Sequence, residues 1–417
     1  MQIGDRVRVA DDETSVEGIV LPSTTEENIV VKRPGGYNVG IDRADADVEV
    51  LESGVEPMAP ADEEDEPETS AVEFDPDLPT IALVSTGGTI ASTVDYRTGA
   101  VSPQFDMEDI LRVIPELRGL ANFRCRVVAR LLSENMTPAV WQDLAGAIAE
   151  EIAAGADGVV VMHGTDTMQY TASAVAFMLD TPVPIVFTGS QRSADRPSSD
   201  NVMNAVCAVE TATADVAEVL VCMHAGTSDD ACAVHRATRV RKNHTSRRDA
   251  FETVGGPPLA TMEYASRELE LREGATVDHR SDDSVEASTA MLSDVELVKF
   301  VPGAPPSALP TSDPPAGIVL EGTGLGHVNE SWIEPIRELV EDDIPVVMTT
   351  QCIEGRVCDR VYETGRDLLD AGVIEAGDTL PETAIVKLMW ALEHADDVED
   401  AMTRSLAGEL TAHSRPW

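Results

Sequence analysis

The chain has 417 residues, 43% of them hydrophobic, with 30 Lys and Arg against 75 Asp and Glu for a formal net charge of −45. That length fits roughly two to three domains, and the apolar content excludes a wholly disordered chain. So negative a surface also excludes a general grip on nucleic acid or on an anionic membrane, because such binding is built from Lys and Arg.

The composition fits a cell interior at very high salt. At ~1 M ionic strength the Debye length is about 3 Å, so surface carboxylates scarcely repel one another. The basic residues are skewed as well: only four are lysine, namely Lys32, Lys242, Lys299 and Lys387. Met1 to Ala10 has no apolar leader pattern, and no run reaches the ~18 apolar residues of a membrane span. We expect a soluble cytoplasmic protein with no membrane contact. The six cysteines include no Cys-x-x-Cys pair and sit mostly among apolar neighbours, which predicts buried thiols.

Residues 1–51 predict four or five short strands. Val7 and Val9 alternate with polar residues, Ile19 to Leu21 and Ile29 to Val31 follow, Pro34-Gly35-Gly36 turns the chain, and Val48 to Leu51 closes the set. So many strands in so short a segment indicate a small β-barrel of the SH3 or Tudor kind. Residues 52–78 then read as an acidic linker. Glu52 to Asp77 holds no basic residue, and Asp62-Glu63-Glu64-Asp65-Glu66-Pro67-Glu68 extends by self-repulsion.

From residue 79 the pattern is α/β. Apolar runs at Ile81–Val84, Val159–Met162, Ile185–Phe187 and Val219–Cys222 predict parallel strands buried on both faces. Helical stretches separate them at Glu108–Val113, Val140–Ala153, Met168–Leu179 and Val202–Ala214, which predicts a doubly wound parallel sheet over residues 79–266. Residues 267–292 turn polar and read as a second linker. A smaller α/β domain is expected over 293–417, with strands at Val295–Val301, Ile318–Leu320 and Pro345–Met348 and helices near Trp332–Leu339 and Ala384–Leu392.

In such folds the working residues lie just past the C-terminal ends of strands. Three clusters sit there. Ser85-Thr86-Gly87-Gly88-Thr89-Ile90-Ala91-Ser92 offers exposed N–H groups at a Gly-Gly turn and two threonine hydroxyls, although such a turn is also common architecture. His163-Gly164-Thr165-Asp166-Thr167-Met168 offers a second hydroxyl and a carboxylate, with helix capping by Thr165 or Asp166 as the plainer alternative. Arg239 to Phe251, following strand 219–222, is the densest basic stretch and contains Lys242; a generic basic loop is the alternative there.

Together the clusters predict acyl transfer. A threonine hydroxyl needs a neighbouring base. A lysine whose surroundings leave it neutral can take the proton, and an adjacent carboxylate can orient the ammonium that results. The eight histidines show no metal-ligand spacing, so no metal is expected.

The first two motifs resemble those of the L-asparaginase/glutaminase family, and Lys242 falls where that family carries its catalytic lysine. Spacings of 76 residues from Thr89 to Thr165 and 77 from Thr165 to Lys242 accompany them. The resemblance spans roughly residues 79–417 and implies an asparaginase-like pair of α/β domains. It implies Thr89 as nucleophile, with Thr165, Asp166 and Lys242 as second hydroxyl, orienting carboxylate and base; which threonine attacks first stays open. Tyr96 resembles the tyrosine of the family's mobile lid, and Ser133-Glu134 the loop that grips the substrate's α-amino and α-carboxylate groups. For that pair, an ordinary turn before the helix near Pro138 is the alternative.

The N-terminal barrel, the segment Asp95-Tyr96-Arg97-Thr98-Gly99 and the run His244 to Phe251 further resemble the branch that works inside archaeal glutamyl-tRNA(Gln) amidotransferases. That resemblance implies hydrolysis of L-glutamine or L-asparagine to release ammonia. A GatE-type partner subunit would bind Glu-tRNA(Gln) and amidate it with ATP. It implies no cofactor in this chain, ATP at the partner, and a homodimeric core in a heteromeric complex. Residues donated by a neighbouring subunit stay unassigned, and docking onto the complex is the expected use of the barrel. A free-standing halophilic asparaginase and a non-catalytic RNA- or protein-binding module are the alternatives.

Overall fold

The computed structural model describes residues 5–10, 15–21, 28–32, 38–44, 46–53, 75–87, 92–95, 100–103, 114–192, 198–358 and 360–412. The predicted helix at Glu108–Val113, most of the acidic segment, Thr89 and Tyr96 lie outside these residues.

Five antiparallel strands form the N-terminal unit: β1 (Arg6–Ala10), β2 (Ser15–Leu21), β3 (Asn28–Lys32), β4 (Asn38–Asp42) and β5 (Asp47–Glu52), in the order β4-β3-β2-β1-β5. Alternation in β1 sends Val7 and Val9 into a small core with Val16, Val20, Ile29, Val31 and Ile41. Arg6 and Arg8 point the other way and pair with Glu17 and Glu49 at the surface.

The next unit is built on one eight-stranded sheet. β6 (Thr80–Gly87) is followed by the short hairpin β7 (Ser92–Asp95) and β8 (Ala100–Pro103), then by β9 (Asn122–Leu131), α1 (Pro138–Ala153), β10 (Gly158–Met162) and α2 (Met168–Met178). After these come β11 (Leu179–Asp180), β12 (Ile185–Thr188), α3 (Asn201–Ala212), β13 (Val219–His224) and β14 (Ala231–Arg236). A two-stranded ribbon of β15 (Val240–Lys242) and β16 (Phe251–Thr253) stands apart from the sheet, which resumes with β17 (Ala260–Glu263) and β18 (Leu269–Leu271). The order is β18-β17-β14-β13-β12-β10-β6-β9.

This sheet is mixed, not wholly parallel as the apolar runs suggest. Pairing is parallel from β13 across to β9, and antiparallel where β14, β17 and β18 extend it. The central strands are buried on both faces. Ala82, Val84, Val159, Val161, Ile185 and Phe187 face α1 and α2, whereas Ile81, Leu83, Val160, Met162 and Val186 belong to the core under α3. Period-two alternation is therefore present, but hidden because each face is apolar.

The polar stretch expected to be a linker at 267–292 is instead bound along this unit. β19 (Glu286–Ala287) pairs with β11, the Asp278 carbonyl accepts from Ala217 N at 2.7 Å, and His279 meets Asp215 at 3.0 Å. Its charge kept it at the surface, while its backbone found partners. At the other end of the unit, Asn122 Nδ2 donates to the Asp75 carbonyl at 2.7 Å and the Leu78 carbonyl at 2.9 Å, which ties down the last residues before β6.

The last unit has a four-stranded parallel sheet of β20 (Val295–Lys299), β21 (Gly317–Gly322), β22 (Val346–Thr350) and β23 (Ile374–Glu375). Its helices are α4 (Ile333–Glu341), α5 (Glu363–Asp370), α6 (Pro381–His394) and α7 (Val398–Thr403). One face packs α4 and Trp332; the other joins α6 to the core under α2, so Val319, Val347 and Leu388 share an apolar cluster with Phe187 and Val175. No helix among the described residues is long and apolar enough to cross a membrane. Three cysteines, Cys207, Cys222 and Cys232, are buried as expected, but Cys125 and Cys352 are exposed.

Candidate active site

β6 and β10 run side by side, with Ser85 opposite Met162, so the first two sequence clusters leave the same edge of the sheet. Gly87 ends β6 at φ +104°, a backbone region that favours glycine. Thr86, however, is buried, and its hydroxyl lies 3.3 Å from the Met162 carbonyl. That hydroxyl braces the strand pair and is not presented at the sheet edge.

Past β10, Thr165 and Asp166 do not cap α2. The cap position is Thr167, without a side-chain capping bond. Both residues turn instead to Lys242. Lys242 Nζ donates to Thr165 Oγ1 at 2.8 Å and to Asp166 Oδ1 at 2.6 Å. The lysine side chain is 8% exposed, whereas that of Asp166 is 67% exposed. A nearly buried amine nitrogen therefore has one hydroxyl and one largely solvated carboxylate as its partners. The Thr165–Lys242 contact is a ready route for a proton, and the carboxylate holds the cation that results.

Lys242 reaches this point by a path the sequence did not suggest. The chain leaves β13, returns along antiparallel β14, makes a 3-10 turn at Ala237–Arg239 and enters the ribbon β15–β16, where Lys242 faces Phe251. The basic residues around it are each engaged within the chain. Arg239 pairs with Asp378 at 3.1 Å, Arg241 with Glu382 at 3.1 Å, Arg247 with Asp249 at 2.8 Å, and Arg248 with Asp229. The generic basic loop is thus internally neutralised, leaving Lys242 as the member of that stretch given to the Thr165–Asp166 pair. Of the other lysines, Lys299 sits at the surface with Glu321 and Lys387 is wholly buried against Glu409.

Ser133 and Glu134 open a 3-10 turn, Ser133–Asn135, beside the site. Thr167 Oγ1 donates to the Ser133 carbonyl at 2.7 Å, fixing that turn to the loop that carries Thr165. Ser133 is buried and Glu134 exposed. The structure thus brings Ser133, Thr165, Asp166 and Lys242 into one region, while Thr89 and Tyr96 lie outside the described residues.

Two features escaped sequence reasoning. His163, directly before Gly164, is fully buried; burial pushes its pKa down to about 4, against a 2.6 Å contact from Nδ1 to the Gly164 carbonyl. Ser190 Oγ, in the turn after β12, and the amide atoms of Asn201, at the start of α3, are buried without a hydrogen-bond partner among the described residues. Nothing local in Ser190-Gln191 or Asp200-Asn201 distinguishes them from ordinary turn and cap residues.

Residues 80–276 match the asparaginase N-terminal domain family, 294–403 the glutaminase/asparaginase C-terminal domain family, and 1–51 the GatD N-terminal domain family. The GatD-type subunit of glutamyl-tRNA(Gln) amidotransferase from Halobacterium salinarum is 63% identical over 421 residues, covering 99% of this chain and 98% of that protein. The same-named protein of Methanosarcina mazei is 51% identical, covering 98% of this chain and 97% of that protein. Among solved structures, the thermostable L-asparaginase from Thermococcus kodakarensis superposes with a TM-score of 0.71 at 32% identity, covering 80% of this chain and 99% of that one.

Proposed function

Since the chain belongs to the GatD family of glutamyl-tRNA(Gln) amidotransferase subunits, on an asparaginase scaffold, we propose that it is the amide-hydrolysing subunit of such an enzyme. It releases ammonia from L-glutamine, or from L-asparagine, for the conversion of Glu-tRNA(Gln) to Gln-tRNA(Gln). The observation that carries this reading is Lys242 Nζ at 2.8 Å from Thr165 Oγ1 and 2.6 Å from Asp166 Oδ1.

In this reading the Thr89 hydroxyl adds to the amide carbon while its proton passes toward Thr165 and Lys242. The carbon–nitrogen bond breaks, the nitrogen leaves as ammonia with a proton gained, and an ester to the threonine remains. Water then cleaves that ester, releasing the acid and restoring the hydroxyl. Asp166 holds the lysine through both steps. Ser133 and Glu134 grip the α-amino and α-carboxylate groups of the substrate, and Tyr96 covers it. The roles of Thr89 and Tyr96 rest on the motifs alone.

The chain itself uses no cofactor in this scheme. ATP and most of the tRNA belong to a GatE-type partner, which agrees with a net charge of −45. We assign the work to the cytoplasm, with a dimeric core of this chain inside the larger complex.

Rates of glutamine and asparagine hydrolysis in molar KCl, with and without partner, ATP and Glu-tRNA(Gln), test the proposal. Stimulation by those additions supports it. Full asparagine turnover alone, indifferent to them, would instead mark a free-standing asparaginase; an amidase rate unmoved by Lys242→Ala would mark a binding module.

A further inference from the structure

Behind the site runs a chain of polar groups that the scheme above does not use, buried at Asp200, Asn204 and His224 and reaching the surface at Asp229, whose side chain is 67% exposed. It begins at Asp200, whose side chain is fully buried at the start of α3. The carboxylate accepts from Gln191 N at 2.9 Å, from Arg192 N at 3.0 Å and from Asn204 Nδ2 at 3.1 Å. Those bonds fold the turn after β12 back onto the helix. The same turn backs Thr165: a Cβ built on Gly189 would lie 3.0 Å from Thr165 Cγ2 and 2.5 Å from the His163 carbonyl, so only glycine lets the backbone come this close.

Asn204 fixes the next link. Its amide nitrogen is committed to Asp200 and to the Gly189 carbonyl at 2.9 Å, so its oxygen must face the other way. That oxygen lies 2.5 Å from His224 Nδ1, and an oxygen can only accept there. His224 therefore carries its proton on Nδ1. Burial lowers the pKa of this ring, with Asp200 and Asp229 opposing the shift. Nε2 lies 3.4 Å from Asp229 Oδ1, the next member of the chain.

Arg248 ties down the far end. Its guanidinium donates to Asp229 and to the Thr227 carbonyl, which fixes the carboxylate beside His224. Arg248 belongs to the loop that joins β15 to β16, and that loop closes on itself where Asn243 N meets the Ala250 carbonyl at 2.7 Å. One end of the chain thus backs Thr165 and the other is anchored beside the ribbon that carries Lys242.

We propose that Asp200, Asn204, His224, Asp229 and Arg248 form a positioning relay that sets the contact between Lys242 and Thr165 without touching substrate. This rests on the function proposed above, but its geometry can be tested apart from activity. Small displacements of a reacting pair cost up to about 100-fold in rate, so loosening one end of the relay is read mainly in kcat.

The test uses the full-length chain in molar KCl with Arg248→Gln, Arg248→Lys, Asp229→Asn, the double variant Arg248→Gln/Asp229→Asn, and Arg247→Gln as a control at an exposed neighbour. We expect Arg248→Gln to lower kcat for glutamine about tenfold with KM within about twofold, Arg248→Lys to recover much of the loss, and Arg247→Gln to match the parent. The double variant should be no slower than the worse single one, as expected of groups acting through one link. Unchanged kcat in Arg248→Gln, or a loss confined to KM, would overturn the relay.

A second measurement needs no activity. Acetylation by acetic anhydride, mapped by mass spectrometry, compares Lys242 with exposed Lys299 in the same sample. Arg248→Gln should raise the relative rate at Lys242 severalfold. An unchanged ratio contradicts the relay even if the parent protein proves to hydrolyse no amide, an outcome that would by itself reject only the proposed function.

Discussion

Lys242 and Thr165 are 77 residues apart in the chain and meet at 2.8 Å from Nζ to Oγ1. The contact requires the antiparallel return of β14 and the ribbon after it, and it places an amine that can give up a proton next to a hydroxyl. Arginine has no such capacity, because its guanidinium stays charged. Lys242→Arg should therefore lower kcat for glutamine by about 10³-fold, near the loss in Lys242→Ala and within the range expected when a general base is removed. Thermal unfolding in the same buffer should show Lys242→Arg still folded. Retention of more than a tenth of the activity would remove the base from the scheme.

Asp166 is the solvated partner of the same lysine, with two-thirds of its side chain exposed. Asparagine at this position keeps an oxygen within reach of the ammonium and gives up only a largely screened charge. Asp166→Asn should cost about 10²-fold in kcat while leaving the unfolding midpoint in denaturant essentially unchanged. A large fall in stability would make the residue architectural.

Lys387 and Glu409 behave in the opposite way. Both side chains are 0% exposed, with Nζ and Oε1 2.5 Å apart, and Glu409 also accepts from the Leu406 and Ala407 amides. Burial drives the lysine's pKa down while Glu409 drives it up. Glu409→Gln strands a cation in the interior and should cost about 3–5 kcal/mol of stability. The surface pair Arg6–Glu17, screened at high salt, should contribute close to nothing when broken. Denaturant titrations of the two variants in molar KCl check the contrast.

His163 and His235 are buried, and burial lowers each pKa to about 4. The unfolded chain binds protons on both near the ordinary histidine value, so between pH 6.5 and 4 it holds more protons than the native state. Stability must then fall as pH drops through that window, by about 1 kcal/mol per unit for each histidine, and must not depend on them above it. His235→Gln should flatten part of the slope. A parent protein equally stable at pH 5 and pH 7 would contradict the burial of these rings.

Much of the fold was legible because the central strands are apolar on both faces: Ile81–Val84 and Val159–Met162 can hardly be anything else. β14 was not, since Ala231-Cys232-Ala233-Val234-His235-Arg236 lacks a β-branched run and is made a strand by pairing with Met223 and Thr261 on its two sides. The three-residue strands of the ribbon carry no pattern at all, so Lys242 could be put at the rim of the sheet by its rarity and by resemblance, but the antiparallel return and ribbon that carry it there could not be read. The segment 267–292 misled because polarity reports exposure of side chains, not freedom of backbone. The Asp200–His224 chain was invisible for a related reason. Asn204 and His224 are each a lone polar residue between apolar ones and Asp200 stands in an ordinary polar turn, so only the tertiary fold supplies the partners that make their burial tolerable.

The most direct measurement of the whole account follows nitrogen. Glutamine labelled with 15N at the side-chain amide is given to the chain with its GatE-type partner, ATP and Glu-tRNA(Gln) in molar KCl, and the aminoacyl product is analysed for label. We predict 15N in the glutaminyl carboxamide of the tRNA, lost with Lys242→Ala and recovered as unlabelled product when ammonium chloride is supplied. Formation of Gln-tRNA(Gln) without label, or labelled product undiminished by Lys242→Ala, would contradict it.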